Sequence, residues 1–328
     1  IVVLGLLAAF IVVAGPGYLL GDANATAREG GFVTLEGPAA YVQLILKTAM
    51  IVLIGAEFFA LITRKHGGGA VTLGSFATNP GLLIAILFTA AFYLAGERGE
   101  MVQVFALVGI LYGMHFRPFR AHEFLLTVIG GALLFTLIGH TRAHGWAEID
   151  TFLDGFNPWR ATVNLANSSI CLLVAIEVTE LRGTYYWGQL FISNILALIP
   201  FAQGIFNATF GTSTFDLNSA FMMAAHLYGP NPHTGPGTSI TADAYINFGA
   251  IGLVAILFIY GLACRFFSDL LRNPTSIFSF SAACAFASLI FYAGRGSVFN
   301  QLQPVVWSFA LAMLLYRAHR VPSRFPPK

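Results

Sequence analysis

The chain has 328 residues, of which 57% are hydrophobic and only 10% charged, with a formal net charge of +2. A soluble domain carries roughly 25% charged residues, so this composition excludes an ordinary soluble globular protein and points to an integral membrane protein. The basic residues stand singly or in pairs at the ends of apolar runs, which excludes the basic stripe of a nucleic-acid-binding surface.

A helix crossing the hydrocarbon core needs about 20 apolar residues, within a range of roughly 17–25. Eight stretches meet or approach that length: 1–20, 39–63, 80–95, 101–116, 123–140, 245–267, 277–293 and 301–316. The first is too long for a cleaved signal core and has no basic start. It begins at Ile1 without an initiator Met, so the chain reads as truncated, with earlier spans missing. The second contains Lys47 and Glu57. Charges inside a membrane span default to functional groups. Ten positions apart, about 15 Å along a helix, these two cannot pair with each other, so Glu57 either serves function or pairs with a basic group on a neighbour. HGGGAVTLGS (66–75) follows as a flexible linker. It lacks the Lys-Ser/Thr pair of a phosphate-binding loop. The third and fourth spans are short, and GERGE (96–100) joins them as a hairpin of tilted helices.

Residues 141–244 interrupt the apolar pattern. The organisation expected is therefore an N-terminal membrane part (1–140, about five helices), a large loop (141–244), and a C-terminal part (245–328) of three membrane helices and a basic tail. The fold class is an all-α integral membrane protein of about 8 transmembrane helices with a long, partly helical loop before the last three. Within the loop, 185–204 is a ninth apolar stretch. It holds Gln189, Asn194 and Pro200 and reads as an interfacial or re-entrant helix. With the side of Arg64 and Lys65 taken as inside, alternation puts ten basic residues inside and six outside, as the positive-inside rule expects. The long loop is then outside. Were 185–204 to span, Arg265 and Arg272 would move outside.

Several residues could carry chemistry. Arg295, in YAGRGSVFNQLQPVVW, lies between glycines at the outer end of a span. Its fork suits phosphate oxygens, and the alternative is a snorkelling arginine. Arg160 and Arg182 stand among Trp159, Tyr185, Tyr186 and Trp187, a pairing that suits sugar phosphates or, alternatively, an interfacial aromatic belt. His226 and His233, in HLYGPNPHTGPG, could act as a base or orient a substrate, or be loop histidines without a role. Their spacing is not that of a helical metal pair, and no third ligand is evident; neither metal nor cofactor is expected. Asp243 precedes a helix expected from Tyr245. With Ser239 and Thr241 it offers an N-cap, or it is a general base at the membrane surface. Glu177 and Glu180, one helical turn apart, are expected to pair with Arg182. Cys171, Cys264 and Cys284 form no disulfide framework, and the sequons at Asn24, Asn167 and Asn207 are too short to carry weight.

The block GTSITADAYINFGAIGLVAILFIYG (237–261), with Asp243, Tyr245, Asn247, Phe248, Gly249 and Gly252, resembles the Wzy-type polymerases of bacterial O-antigen and capsule repeat units. YAGRGSVFNQLQPVVW, with Arg295 at the family's outer arginine, is a second matching piece. GTYYWGQLFISNILALIP (183–200) is a third, looser one. The resemblance covers the C-terminal half, and the N-terminal half matches only as hydrophobic spans. The family usually has glutamate where Asp243 stands. The resemblance implies a GT-C-like, metal-independent glycosyltransferase of the bacterial inner membrane with its active face periplasmic. A growing glycan on undecaprenyl pyrophosphate would pass to the non-reducing end of a repeat unit on the same lipid. Arg295, Arg182 and Arg160, with Tyr245 and Trp187, would bind pyrophosphate and sugar, while Asp243, His226 or His233 would assist the acceptor hydroxyl. Its partners would be undecaprenyl-pyrophosphate-linked oligosaccharides, membrane lipids and a chain-length regulator. Two alternatives stand beside this. An O-antigen ligase, transferring to lipid A core, carries a histidine at a fixed distance before the Gly-x-x-Gly helix; Gly237 is at that distance here, and His233 is four residues too early. A transporter or flippase of lipid-linked oligosaccharide would show paired repeats and broken helices at mid-membrane.

Overall fold

The computed structural model describes residues 2–15, 38–94, 98–144, 168–212, 217–229, 237–290, 294, 296, 297, 299 and 302–317. Among these the regular structure is helical, with no strand. In chain order the helices are α1 (Val2–Ala14), α2 (Pro38–His66), α3 (Leu73–Ala77), α4 (Pro80–Leu94), α5 (Arg98–His115), α6 (Ala121–His144), α7 (Ser168–Arg182), α8 (Ile192–Leu196), α9 (Ala202–Phe210), α10 (Ser219–Tyr228), α11 (Ile240–Arg272), α12 (Ile277–Ser288) and α13 (Leu302–Arg317). Helix forms in each of the eight stretches expected from hydropathy. Among the described residues, two helices are long and apolar enough to cross a membrane, within Tyr41–His66 and Ile240–Arg272, and shorter apolar helices accompany them. Several apolar helices among the described residues are consistent with a membrane protein, since a helix satisfies its own backbone in lipid.

The chain divides into two compact units. The first comprises Ile1–Ala161, Leu270–Ser288 and Ser308–Lys328. Its centre is α2, which packs on α1, α4, α5 and α12 and buries Leu46, Met50, Ile54 and Phe58 completely or nearly so. α12 is buried along Phe280–Ser288. Its serines, alanines and Cys284 let neighbouring backbone come close, as membrane helix contacts favour; a Cβ at Gly55 would lie 3.4 Å from Cys284 Sγ.

Among the described residues, Glu57 pairs with an amide and not with a basic group. Its Oε2 accepts from Asn79 Nδ2 at 2.9 Å, and its side chain lies against Gly81. Asn79 in turn caps α4, its Oδ1 accepting from Leu82 N at 2.9 Å, with Pro80 at the first helical position. The carboxylate therefore sits at the positive end of a helix, a neutral-partner solution to an intramembrane charge. Lys47 Nζ lies 5.7 Å from the centroid of the Phe92 ring. The glycine-rich linker is partly ordered too: Thr72 and Ser75 close a capping box that starts α3, which glycine content alone did not reveal.

The second unit comprises Thr162–Asp269 and Leu289–Trp307. Its base is α7 packed on α10. Cys171, Val174 and Ala175 of α7 join Met223 of α10, Leu190, and Ala242 and Ile246 of α11 in one apolar cluster. α7 stops at Gly183, whose φ of +71° lets its N–H return to Thr179 O at 2.9 Å. The stretch 185–204 is not one helix. A 3-10 turn (Gln189–Phe191) leads into α8, and Pro200 and Phe201, the latter at φ +66°, separate it from α9. The longest of these pieces, α9, is about 14 Å by helix rise, less than half of a hydrocarbon core.

Candidate functional site

The site is built on the first two turns of α11. Ser239 is the N-cap: its Oγ accepts from Ala242 N at 3.2 Å and lies 2.9 Å from Thr241 Oγ1. Asp243 therefore does not cap, which removes the bland explanation for it. Two turns later the helix breaks. Gly249 has φ 69° and ψ −163°, a backbone region open essentially to glycine alone. A break leaves carbonyls without intrahelical donors, and the chain after α7 supplies replacements. Tyr186 N donates to Ile246 O at 3.1 Å and Trp187 N to Asn247 O at 2.9 Å. The fully buried Asn247 side chain extends the junction. Its Oδ1 accepts from Gly188 N at 3.0 Å and Leu190 N at 3.4 Å, and its Nδ2 donates to Asp243 O at 2.8 Å.

Ring packing completes the junction. A Cβ at Gly249 would sit 2.6 Å from Tyr185 Cζ, and one at Gly188 would sit 3.3 Å from Phe248 Cζ. Phe248 also packs on Phe191, with centroids 5.9 Å apart. Gly252 leaves room for Phe248 one turn below. Beyond the break, residues 250–272 form an arm of about 34 Å by helix rise. Ile251, Val254, Phe258 and Ile259 are exposed on it, the surface of a lipid-facing helix.

A chain of three polar groups, two of them buried, crosses the same place. Asp243 is fully buried, and Ser297 is nearly so. Ser297 Oγ donates to Asp243 Oδ2, and Asn194 Nδ2 donates to Ser297 Oγ at 3.1 Å. The amide fixes the polarity of the hydroxyl: with its lone pair engaged by Asn194, Ser297 sends its proton towards the carboxylate. α13 holds the other side of the segment that follows α8, with Gln303 Nε2 donating to Ala197 O at 2.7 Å and Trp307 Nε1 to Leu198 O at 3.0 Å.

Residues 162–318 match the family described as O-antigen polysaccharide polymerase Wzy. The matched residues, just under half of the chain, are similar to that family. No curated protein and no solved structure matches the chain. The Wzy match begins where the second unit begins and contains all of it. Wzy polymerases act on lipid-linked oligosaccharide repeat units in membranes, and the match supports a glycosyltransferase-type polymerase role in O-antigen synthesis.

The structure brings some of the expected Wzy site residues together. Arg182, exposed at the end of α7, lies over Tyr186, with its Cζ 3.8 Å from the ring centroid. Tyr185 stands edge-on to both Trp187 (6.1 Å) and Tyr245 (6.2 Å). Arg182, Trp187 and Tyr245 thus belong to one aromatic patch, two residues along α11 from Asp243. His226 is elsewhere, on α10, where its Nε2 is 3.4 Å from Glu177 Oε2. The pairing expected between the α7 glutamates and Arg182 is replaced by these two contacts, because the guanidinium is drawn along the chain to Tyr186. Arg295, Arg160, His233 and Trp159 lie outside the described residues, as does the Arg142 side chain. Sequence reasoning missed Asn194 and Ser297. Their only signal was a polar side chain inside an apolar stretch, in the case of Asn194, and proximity to Arg295 in the case of Ser297. Among the described residues no group of three or more His, Cys, Asp or Glu side chains is placed to hold a metal ion.

Proposed function

We propose that the chain elongates a bacterial surface polysaccharide at the periplasmic face of the inner membrane, by moving a growing glycan from undecaprenyl pyrophosphate to the non-reducing end of a lipid-linked repeat unit. The match of 162–318 to the Wzy family carries this reading. An acceptor sugar hydroxyl attacks the donor's anomeric carbon. The new C–O glycosidic bond forms as the C–O bond to pyrophosphate breaks, and the hydroxyl proton leaves to a base or to water. The leaving pyrophosphate takes up negative charge, so fixed cations at the membrane surface stabilise the transition state. Holding two lipid-linked substrates together supplies the remaining advantage.

Arg295, Arg182 and Arg160 are assigned to the pyrophosphate, and Tyr245 and Trp187 to the sugar. Of the three expected bases, Asp243 is buried behind Ser297, while His226 is partly exposed beside Glu177. In this arrangement Asp243 acts through the groups it holds rather than by touching the acceptor, and His226 or His233 is left as the proton acceptor.

The test is reconstitution of the purified protein with its lipid-pyrophosphate-linked repeat unit. A ladder of longer glycans is expected. Transfer that appears only when lipid A core is added would replace polymerase by ligase, and no transfer under either condition would move transport of lipid-linked sugars to the front. Arg295→Ala is expected to abolish the ladder while the protein remains in the membrane at its normal level; wild-type ladder length in that variant would remove Arg295 from the clamp.

A further inference from the structure

Trp187 is strained, pinned and exposed at once. Its φ is +51°, a region disfavoured for any residue with a Cβ. Its N–H donates to Asn247 O, the N–H before it to Ile246 O, and the N–H after it to Asn247 Oδ1. The helix break therefore fixes the backbone on both sides of Trp187, and the indole, 70% exposed, projects from a rigid support. Tyr185 braces it edge-on at 86°. Among its neighbours along the chain, Arg182, Thr184 and Gln189 are polar and exposed. Persistent backbone strain in an over-determined setting is a mark of function.

Resting on the polymerase reading, we infer that Trp187 is a stacking platform for one pyranose ring of the glycan, and that the Arg182–Tyr186 pair receives an oxyanion carried by that sugar. A pyranose presents a face of C–H groups that covers an indole and excludes water from it. Arg182 Cζ lies over the Tyr186 ring at 3.8 Å; a guanidinium held over a ring still has N–H donors to offer a bidentate anion. The oxyanion is a sugar phosphate or a uronate carboxylate. Both present two oxygens to the same fork.

The experiment measures binding, without polymerisation, to the full chain in detergent. The probes are the repeat-unit glycan released from its lipid, the same glycan after carboxyl reduction, inorganic pyrophosphate, and phosphatidylglycerol vesicles. Trp187→Leu is expected to weaken glycan binding about tenfold while Trp187→Phe stays within about threefold, as loss or retention of an aromatic face dictates. Vesicle association should be unchanged in both. Arg182→Gln should weaken binding of pyrophosphate if phosphate is the anion, or of the unreduced glycan alone if uronate is. Wild-type glycan affinity in the leucine variant would overturn the platform, and an accompanying loss of vesicle association would make Trp187 a membrane-belt residue. Undiminished binding of every anion by Arg182→Gln would overturn the second half. A wild-type protein that binds glycan through Trp187 but forms no ladder would overturn the polymerase reading alone.

Discussion

Replacing Asn247 by leucine keeps roughly the same volume in a fully buried place but removes every polar contact the side chain makes. The amide oxygen serves two backbone donors, Gly188 N and Leu190 N. Each loses its partner, the Leu190 N–H in a buried place and the Gly188 N–H in a partly buried one, at up to about 1–3 kcal/mol apiece. The lost donor matters less, because Asp243 O belongs to a helical turn and keeps its place in the ladder. The expected penalty is therefore up to about 2–6 kcal/mol, concentrated on the attachment of 186–190 to α11 rather than on either helix. Hydrogen exchange at individual amides reads this directly. Protection at Gly188 and Leu190 should fall at least about thirtyfold, while amides in the middle of α7 change little. Asn247→Asp retains the acceptor for both donors and should keep more of the protection. Wild-type protection of Gly188 and Leu190 in the leucine variant would refute the idea that this side chain holds the two segments together.

Two further outcomes follow from the same junction. Gly249→Ala meets both a glycine-only backbone region and the Tyr185 ring, so it is expected to lower stability by about 1–3 kcal/mol from the backbone alone; thermal unfolding in detergent checks this, and Tyr185→Ala should recover only the steric share. Ser297→Ala removes the donor to the buried Asp243 carboxylate and is expected to lose about 1.5–3 kcal/mol, with Ser297→Thr, which keeps a hydroxyl, close to wild type. Equal stability of the alanine and threonine variants would show that the hydroxyl chain contributes nothing.

Much of the helical inventory was legible because it depends on local apolar content: α2, α4, α5 and α13 begin and end within a few residues of the runs that announce them. The motif around Gly249 was legible as a resemblance. Its meaning was not, because the break at Gly249 is completed by Tyr186 and Trp187, about sixty positions earlier, and no local pattern encodes that pairing. The fate of 185–204 was half legible. Its polar residues argued against a simple span, yet Asn194 reaches Ser297 across 103 positions. Glu57 shows the converse limit: a charged residue in an apolar run announces that it needs a partner, but not that the partner is the amide of Asn79.

The junction at α11 also constrains how the chain is made. Gly188 leaves the ribosome 59 residues before Asn247, its acceptor. At synthesis rates of roughly 5–20 residues per second, that is an interval of about 3–12 s. Throughout it the amides of Tyr186, Trp187, Gly188 and Leu190 lack the acceptors they have in the finished protein, and in hydrocarbon each would cost several kcal/mol. An apolar stretch in that condition is better kept at the wet edge of the bilayer than passed through it. On this reasoning the nascent segment is expected to stay there until the following helix emerges, and its polar side chains then reflect the order of translation.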